Sequence, residues 1–218
     1  MHGYLSCKES FSRQIEFFSK SYRVIAPDLT GFGENPPLNF PYSLDDYCND
    51  VLKLLDELNI KKYHIIAHSF GARIAIKLAP FDKRIDKIII TGGAGLKPKR
   101  SIKYYAKVYA YKFLKKIFKN KDFSSFGSDD YKRLNQIEKL SFKKIINEHL
   151  DEYLPLIHNK TLLIYGKKDT ETPVYMAKKF KKGIKNSKLY LLNGNHFCFI
   201  SNHDTFNKIA FDFLKENS

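Results

Sequence analysis

Residues 63–79 read YHIIAHSFGARIAIKLA, and this stretch limits the fold more than any other. An apolar run of strand length passes without a spacer into a run of helical period, with Ser69 at the junction. A strand that turns straight into a helix is the repeating unit of a parallel sheet, because parallel neighbours need a crossover. Two residues before Ser69 stands Ala67 and two after it Gly71, both small, as a tight and strained turn requires. Such a turn lifts the serine hydroxyl clear of the sheet and aims the first free N–H groups of the helix at the same point. A small-x-Ser-x-small string is common alone; its position between strand and helix makes it informative.

The rest of the chain repeats the alternation. Strands are expected at residues 22–27 (YRVIAP), 63–68 (YHIIAH), 86–91 (DKIIIT), 161–166 (TLLIYG) and 188–192 (KLYLL). Their nearly continuous apolar character suits strands buried on both faces. Between them, Ser43 caps a helix with Asp46 three residues on, and Leu44, Tyr47, Val51, Leu54, Leu55 and Leu58 form its apolar face. A second helix runs from Phe70 to about Leu78, and a last one from about Thr205 to Leu214. Residues 97–155 contain no strand candidate. There Ile102, Tyr105, Tyr109, Phe113 and Ile117 recur at helical spacing with lysines on the other faces. The expected organisation is an α/β core over residues 1–96 and 156–218, with a helical insertion at 97–155.

Two residues complete a catalytic constellation with Ser69. Asp169 follows the strand TLLIYG within KKDTETP, and His196 follows KLYLL within NGNHFCF. Ligands of open α/β sheets bind at the carboxyl ends of strands, and Ser, Asp and His each fall at such an end, in that order. The expected roles are Ser69 as nucleophile, His196 as its base and Asp169 as the group that orients the imidazole. Glu171 is a reserve acid should Asp169 point elsewhere. His64 and His68 are four residues apart, but a strand and turn do not present them as a metal pair. Cys198 is expected to fill core, Asp28 to stabilise its own turn, and GGAG at 92–95 to form a strand-end turn.

Composition removes other classes. The formal charge is +15, which invites nucleic acid or acidic lipid as a partner. Lys, Ile, Asn, Phe and Tyr abound while Trp is absent, the imprint of AT-rich coding, and no zinc-finger or RNA-recognition spacing accompanies the charge. Nucleic acid is therefore not expected as a partner. No apolar run reaches the ~18 residues of a membrane span, though the basic insertion leaves contact with a membrane surface open. Cys7, Cys48 and Cys198 are scattered and odd in number, unlike a disulfide framework, and a reducing cytoplasm is the expected setting.

With these motifs assembled, the sequence resembles the α/β-hydrolase fold family. The matching features are His2-Gly3, the turn APDLTGFGENP, AHSFG, YGKKD and NGNH. The resemblance implies a mostly parallel sheet flanked by helices, with residues 97–155 as the cap or lid. It also implies an oxyanion hole formed by the backbone N–H groups of Tyr4 and Phe70, and no cofactor or metal. Within the family the style is that of carboxylesterases and carbon–carbon bond hydrolases; dehalogenases and epoxide hydrolases carry an aspartate where this chain has Ser69. A small-molecule acyl substrate is implied, with a diketone-like substrate or a catalytically silent domain as alternatives. The cap carries no readable substrate code, and oligomeric state is not encoded in any motif. The resemblance further makes YRVIAP the fourth strand and YHIIAH the fifth, so strands one to three are missing and Met1 is expected to be an internal methionine of a longer frame. Tyr4 would then serve from an untethered terminus.

Overall fold

The computed structural model describes residues 1–99 and 133–216. Four parallel strands form one sheet in sequence order: β1 (Tyr63–His68), β2 (Ile85–Thr91), β3 (Lys160–Gly166) and β4 (Ser187–Leu192). In register, Ile65 faces Ile88, Ile90 faces Leu163, and Leu163 faces Leu189. Alternate residues feed opposite layers, as the period of two demands. Ile88, Ile90, Leu163 and Tyr165 enter one apolar cluster; Ile89, Leu162 and Ile164 enter the other. All seven are fully buried, which is why these strands read as continuous rather than alternating apolar runs.

The helices cover both faces. Before the sheet lie a 3-10 turn (Lys8–Phe11), α1 (Ser12–Phe18) and α2 (Leu44–Glu57). α3 (Phe70–Leu78) follows β1. Then come α4 (Gln136–Asn147), a second 3-10 turn (Asp151–Leu156), α5 (Val174–Gly183), the short α6 (Cys198–Ser201) and α7 (His203–Lys215). α2 starts on the expected capping box: Asp46 N–H donates to Ser43 Oγ at 3.3 Å and Ser43 N–H donates to Asp46 Oδ2 at 2.7 Å. Leu44, Tyr47, Val51 and Leu55 of its expected face are buried, while Leu54 and Leu58 are partly so. The expected helix around Ile102, Tyr105, Tyr109, Phe113 and Ile117 lies outside the described residues.

Two polar anchors join the ends of the chain to the sheet. Lys87 of β2 is buried, and its ammonium donates to the carbonyls of Phe213, Leu214 and Glu216, capping the end of α7. Gln14 of α1 donates to Asn207 Oδ1 at 3.1 Å and to the Phe199 carbonyl at 3.0 Å. Residue 14 is thereby fastened to the last two helices.

Two expectations are corrected. Residues 22–27 form no strand; they share a cavity lining with β1 without pairing to it. Strand-like composition does not suffice, because a strand is stabilised only through a neighbour's backbone groups, and here a gap separates the segment from the sheet. Nor is the amino terminus untethered. Met1 N–H donates to the Ile66 carbonyl at 2.7 Å, the Met1 carbonyl accepts from His68 N–H at 3.0 Å, and the His2 carbonyl accepts from Gly71 N–H at 3.1 Å. The His2 ring is buried and its Nε2 accepts from Leu29 N–H at 2.9 Å.

Candidate active site

Ser69 sits between β1 and α3 with φ +47° and ψ −104°, a conformation L-residues rarely adopt. The turn is held by Ser69 N–H donating to the Thr91 carbonyl at 3.2 Å, and by its own carbonyl accepting from Ala72 and Ala94. Gly71 is required by contact. A Cβ there would stand 2.5 Å from the Met1 carbonyl oxygen and 2.9 Å from that of His2. The small residue after the serine thus lets the amino-terminal loop lie against the first turn of α3.

Asp169, three residues beyond the end of β3, is buried and accepts four hydrogen bonds. Glu171 N–H and Thr172 N–H reach Oδ1 at 2.9 and 2.8 Å, and Thr172 Oγ1 and His196 Nδ1 reach Oδ2 at 2.8 and 2.9 Å. Burial alone would raise its pKa, but His196 and the Thr172 amide more than offset that and hold the carboxyl below its ordinary value. Because Oδ2 only accepts, the His196 Nδ1 carries the proton, leaving Nε2 as the basic atom.

His196 follows β4 and is 4 % exposed. Gly92, at the end of β2, packs beneath it: a Cβ there would lie 3.0 Å from the imidazole. The ring of His68, which precedes the serine, lies 4.6 Å from that of His196. Ser69 and His196 thus gather at the ends of β1, β2 and β4, yet no hydrogen bond joins Ser69 Oγ to His196 among the described residues. Instead Nε2 faces Glu171 Oε2 at 3.5 Å, a carboxylate that is 62 % exposed. The reserve acid therefore lies on the opposite nitrogen from the one Asp169 holds.

The two expected oxyanion donors are unengaged: neither Tyr4 N–H nor Phe70 N–H meets a backbone acceptor among the described residues. The Tyr4 and Phe70 rings meet edge to face at 5.5 Å, and Tyr4 also packs on Phe32 and Phe142. Above them, Arg73 of α3 donates to the carbonyls of Ile145 and Glu148 at 2.8 and 2.9 Å, fastening the end of α4.

Other residues behave more plainly. Cys198 is fully buried, and burial raises its thiol pKa, so it fills core. Asp28 serves its turn through Glu34 N–H, and also binds the amide and ammonium of Lys8. Among the described residues no cluster of three or more His, Cys, Asp or Glu is placed to hold a metal ion, and no helix is long and apolar enough to cross a membrane.

Three contributors escaped the sequence. Thr172 orients Asp169; its signal was the D-x-x-T spacing ahead of Pro173, where a side chain caps its own loop. The His2 ring staples residue 29, which no local pattern announces. His68 donates from Nδ1 to the Thr91 carbonyl at 3.0 Å and walls in His196, a neighbour that no sequence spacing names.

Comparison with known proteins follows the geometry. A family model described as alpha/beta hydrolase fold matches residues 1–115. A Pseudomonas putida protein named 2-hydroxy-6-oxononadienedioate/2-hydroxy-6-oxononatrienedioate hydrolase 2 is 26% identical over 234 aligned positions, covering 94% of this chain and 82% of the relative. The structure of a meta-cleavage product hydrolase from Pseudomonas fluorescens IP01 superposes with a TM-score of 0.72 at 26% identity, covering 98% of this chain and 88% of that one. An esterase from Exiguobacterium antarcticum superposes with a TM-score of 0.78 at 20% identity, over 99% of this chain and 90% of that one, a likeness of fold alone.

Proposed function

The chain belongs to the alpha/beta hydrolase fold family, and from that premise we propose that it is a serine hydrolase that cleaves a carboxylic ester-type bond through Ser69, His196 and Asp169. The observation that carries the reading is the pairing of a strained Ser69 at φ +47° with an Asp169–His196 couple at 2.9 Å, all at the carboxyl ends of parallel strands.

In this reading Ser69 Oγ attacks the acyl carbon while its proton passes to His196 Nε2. Asp169 keeps the proton on Nδ1 and stabilises the imidazolium. Tyr4 N–H and Phe70 N–H receive the developing oxyanion, each donor contributing about 2.7–4 kcal/mol to transition-state stability. The C–O bond then breaks, and the leaving alkoxide takes the proton from Nε2. A water, deprotonated by His196, attacks the acyl-enzyme and releases the carboxylic acid and the free serine. His196 Nε2 must exchange its Glu171 contact for Ser69 before the first step. In this reading residues 97–155 serve as the cap, and Arg73 ties the end of α4, which lies within that range, to α3.

A second reading is favoured by the relatives' names. The Pseudomonas putida protein is named as a hydrolase of a 2-hydroxy-6-oxo dienedioate or trienedioate, and the Pseudomonas fluorescens structure as a meta-cleavage product hydrolase. Hydrolysis of a carbon–carbon bond beside a ketone uses the same serine, histidine and aspartate. Labelling by a fluorophosphonate, abolished in Ser69→Ala, tests the nucleophile for both. A panel of p-nitrophenyl esters of increasing chain length beside a vinylogous diketo acid then separates them. Turnover of the diketo acid alone overturns the ester reading, and absence of labelling overturns both.

A further inference from the structure

The Tyr4 amide, which the reaction proposed above assigns to the oxyanion, stands on a loop with little backbone support. Residues 1 and 2 are tied to β1 and α3 through the Met1 and His2 carbonyls. From Tyr4 to Ser6 no backbone N–H or carbonyl meets a backbone partner among the described residues. Support resumes at Lys8, whose N–H donates to Asp28 Oδ1 at 2.7 Å. Leu5, next to Tyr4, has a φ of +54°, in the left-handed region that a leucine rarely occupies. Such a loop keeps its conformation only where its surroundings over-determine it.

The Tyr4 side chain supplies that hold. Its ring meets Phe32 at 4.9 Å, Phe70 at 5.5 Å and Phe142 at 5.1 Å. Its hydroxyl donates to the Glu138 carbonyl at 3.4 Å. Two of these four contacts, with Phe142 and Glu138, come from α4. That helix is itself fixed on either side of Phe142. Ser141 is fully buried, and its Oγ accepts from Tyr42 N–H at 2.9 Å. Lys144 donates to the Pro41 carbonyl at 2.8 Å, and Arg73 of α3 donates to the carbonyls of Ile145 and Glu148. Lys77, also on α3, pairs with the Glu148 carboxylate. The contacts close a circuit: Ser69 opens α3, α3 holds α4, α4 holds the Tyr4 ring, and that ring packs on Phe70 beside Ser69.

We propose that Phe142 is a positioning residue of the oxyanion hole, seating the Tyr4 ring so that the Tyr4 N–H faces the oxygen that gains charge when Ser69 attacks. The inference rests on the serine-hydrolase reading and adds to it a part for α4. A hydrogen bond to a developing oxyanion depends steeply on where its donor points. Binding of the ground state depends on it far less, because the substrate carbonyl carries little charge. Loss of the seat therefore lowers kcat and leaves KM nearly unchanged.

The test uses the full chain with the p-nitrophenyl ester or diketo acid that it turns over. Phe142→Ala is expected to lower kcat about tenfold, a part of the roughly 10²–10³ that loss of a whole donor costs, with KM within about twofold. Phe142→Tyr keeps the ring and is expected to restore kcat to within about threefold of the native chain. An aryl trifluoromethyl ketone gives a readout that damage to the fold does not move. Ser69 adds to its carbonyl carbon, the serine proton passes to His196, and the ketone oxygen stays as an oxyanion. Its Ki does not depend on the fraction of folded enzyme, and in Phe142→Ala it is expected to rise about tenfold, in step with the loss of kcat. An unchanged kcat overturns the inference, and with a raised KM it puts Phe142 on the substrate instead. A lower kcat with an unchanged Ki also overturns it, since Phe142 then supports the fold alone. So does a Phe142→Tyr chain as slow as Phe142→Ala. If Phe142→Ala does not fold, Phe142→Leu is read by the same measures. A native chain that fluorophosphonate fails to label brings down the hydrolase reading together with the inference; a labelled chain with any of these contrary results brings down the inference alone.

Discussion

The imidazoles of His68 and His196 lie 4.6 Å apart, centroid to centroid, with their planes tilted by 51°. His68 is placed where it stays neutral. His68 is buried against Phe199 and donates its Nδ1 proton to the Thr91 carbonyl. Burial, with the adjacent His196, lowers its pKa to about 3.

A pH dependence of stability follows. The unfolded chain protonates His68 near its ordinary value of 6.5, while the folded chain does not until about 3. The unfolded state therefore binds the extra proton throughout that window, and stability falls as pH falls through it, by about 1.4 kcal/mol per unit. Urea unfolding at pH 7 and 4.5 is expected to show a loss about 2.5 kcal/mol larger in the native chain than in His68→Asn. Equal losses would place His68 outside the titration.

Asp169 acts in the same direction at lower pH. Its folded pKa lies below the ordinary 3.8, so its contribution is full above that value and is lost as pH falls through the folded one. Asp169→Asn is expected to cut the fluorophosphonate labelling rate by about 10⁴, through the wrong imidazole tautomer. Thr172→Val removes one bond to Oδ2 but keeps the two amides on Oδ1; labelling is expected to fall about tenfold, the worth of one charge-assisted hydrogen bond.

Glu171 occupies the face of His196 that Ser69 needs. The carboxylate pairs with Nε2 only while the imidazole is protonated, the form that cannot take the serine proton, and such an exposed pair is worth about 0.2–1 kcal/mol. Glu171→Gln is therefore expected to speed labelling of Ser69 by about 1.4- to 5-fold at neutral pH. A slower rate would make the carboxylate a participant rather than a competitor.

Gly71→Ala pushes a methyl against the Met1 and His2 carbonyls, both backbone and unable to swing aside. Overpacking of this kind costs about 1–3 kcal/mol, and thermal melting is expected to show it. Gly3→Ala meets the His68 ring edge at 3.2 Å and the Ser69 Cβ at an ordinary 3.6 Å, and is expected to be milder. Both move the loop that carries Tyr4, so both are expected to slow labelling.

How far the sequence carried is seen in particular segments. All four strands, the capping box at Ser43 and α3 were legible because each is written locally, in a run of one period with its own start and stop signals. Asp169 meeting His196 was legible because strand ends collect at one edge of a parallel sheet. Residues 22–27 misled because their composition is that of a strand, while strandhood depends on a neighbour. His2 and Thr172 were opaque for the opposite reason: their roles are hydrogen bonds to atoms that only the folded chain brings near. The Glu171 contact with Nε2 depends on a loop conformation that no residue pattern encodes.

The tie between Lys87 and the carbonyls of Phe213, Leu214 and Glu216 sets an order on biosynthesis. A chain leaving the ribosome exposes β2 well over a hundred residues before the groups that receive its ammonium, and Gln14 waits longer still for Asn207. Until α7 emerges, the face of the sheet that Ile89, Leu162 and Ile164 present is covered only in part, by Phe11, Phe18 and Phe199, so the nascent protein exposes apolar surface of the kind chaperones bind. Folding closes from the carboxyl end, and a ribosome stalled before His203 is added holds a sheet that lacks Phe206, Ala210, Phe213 and Leu214 on one face.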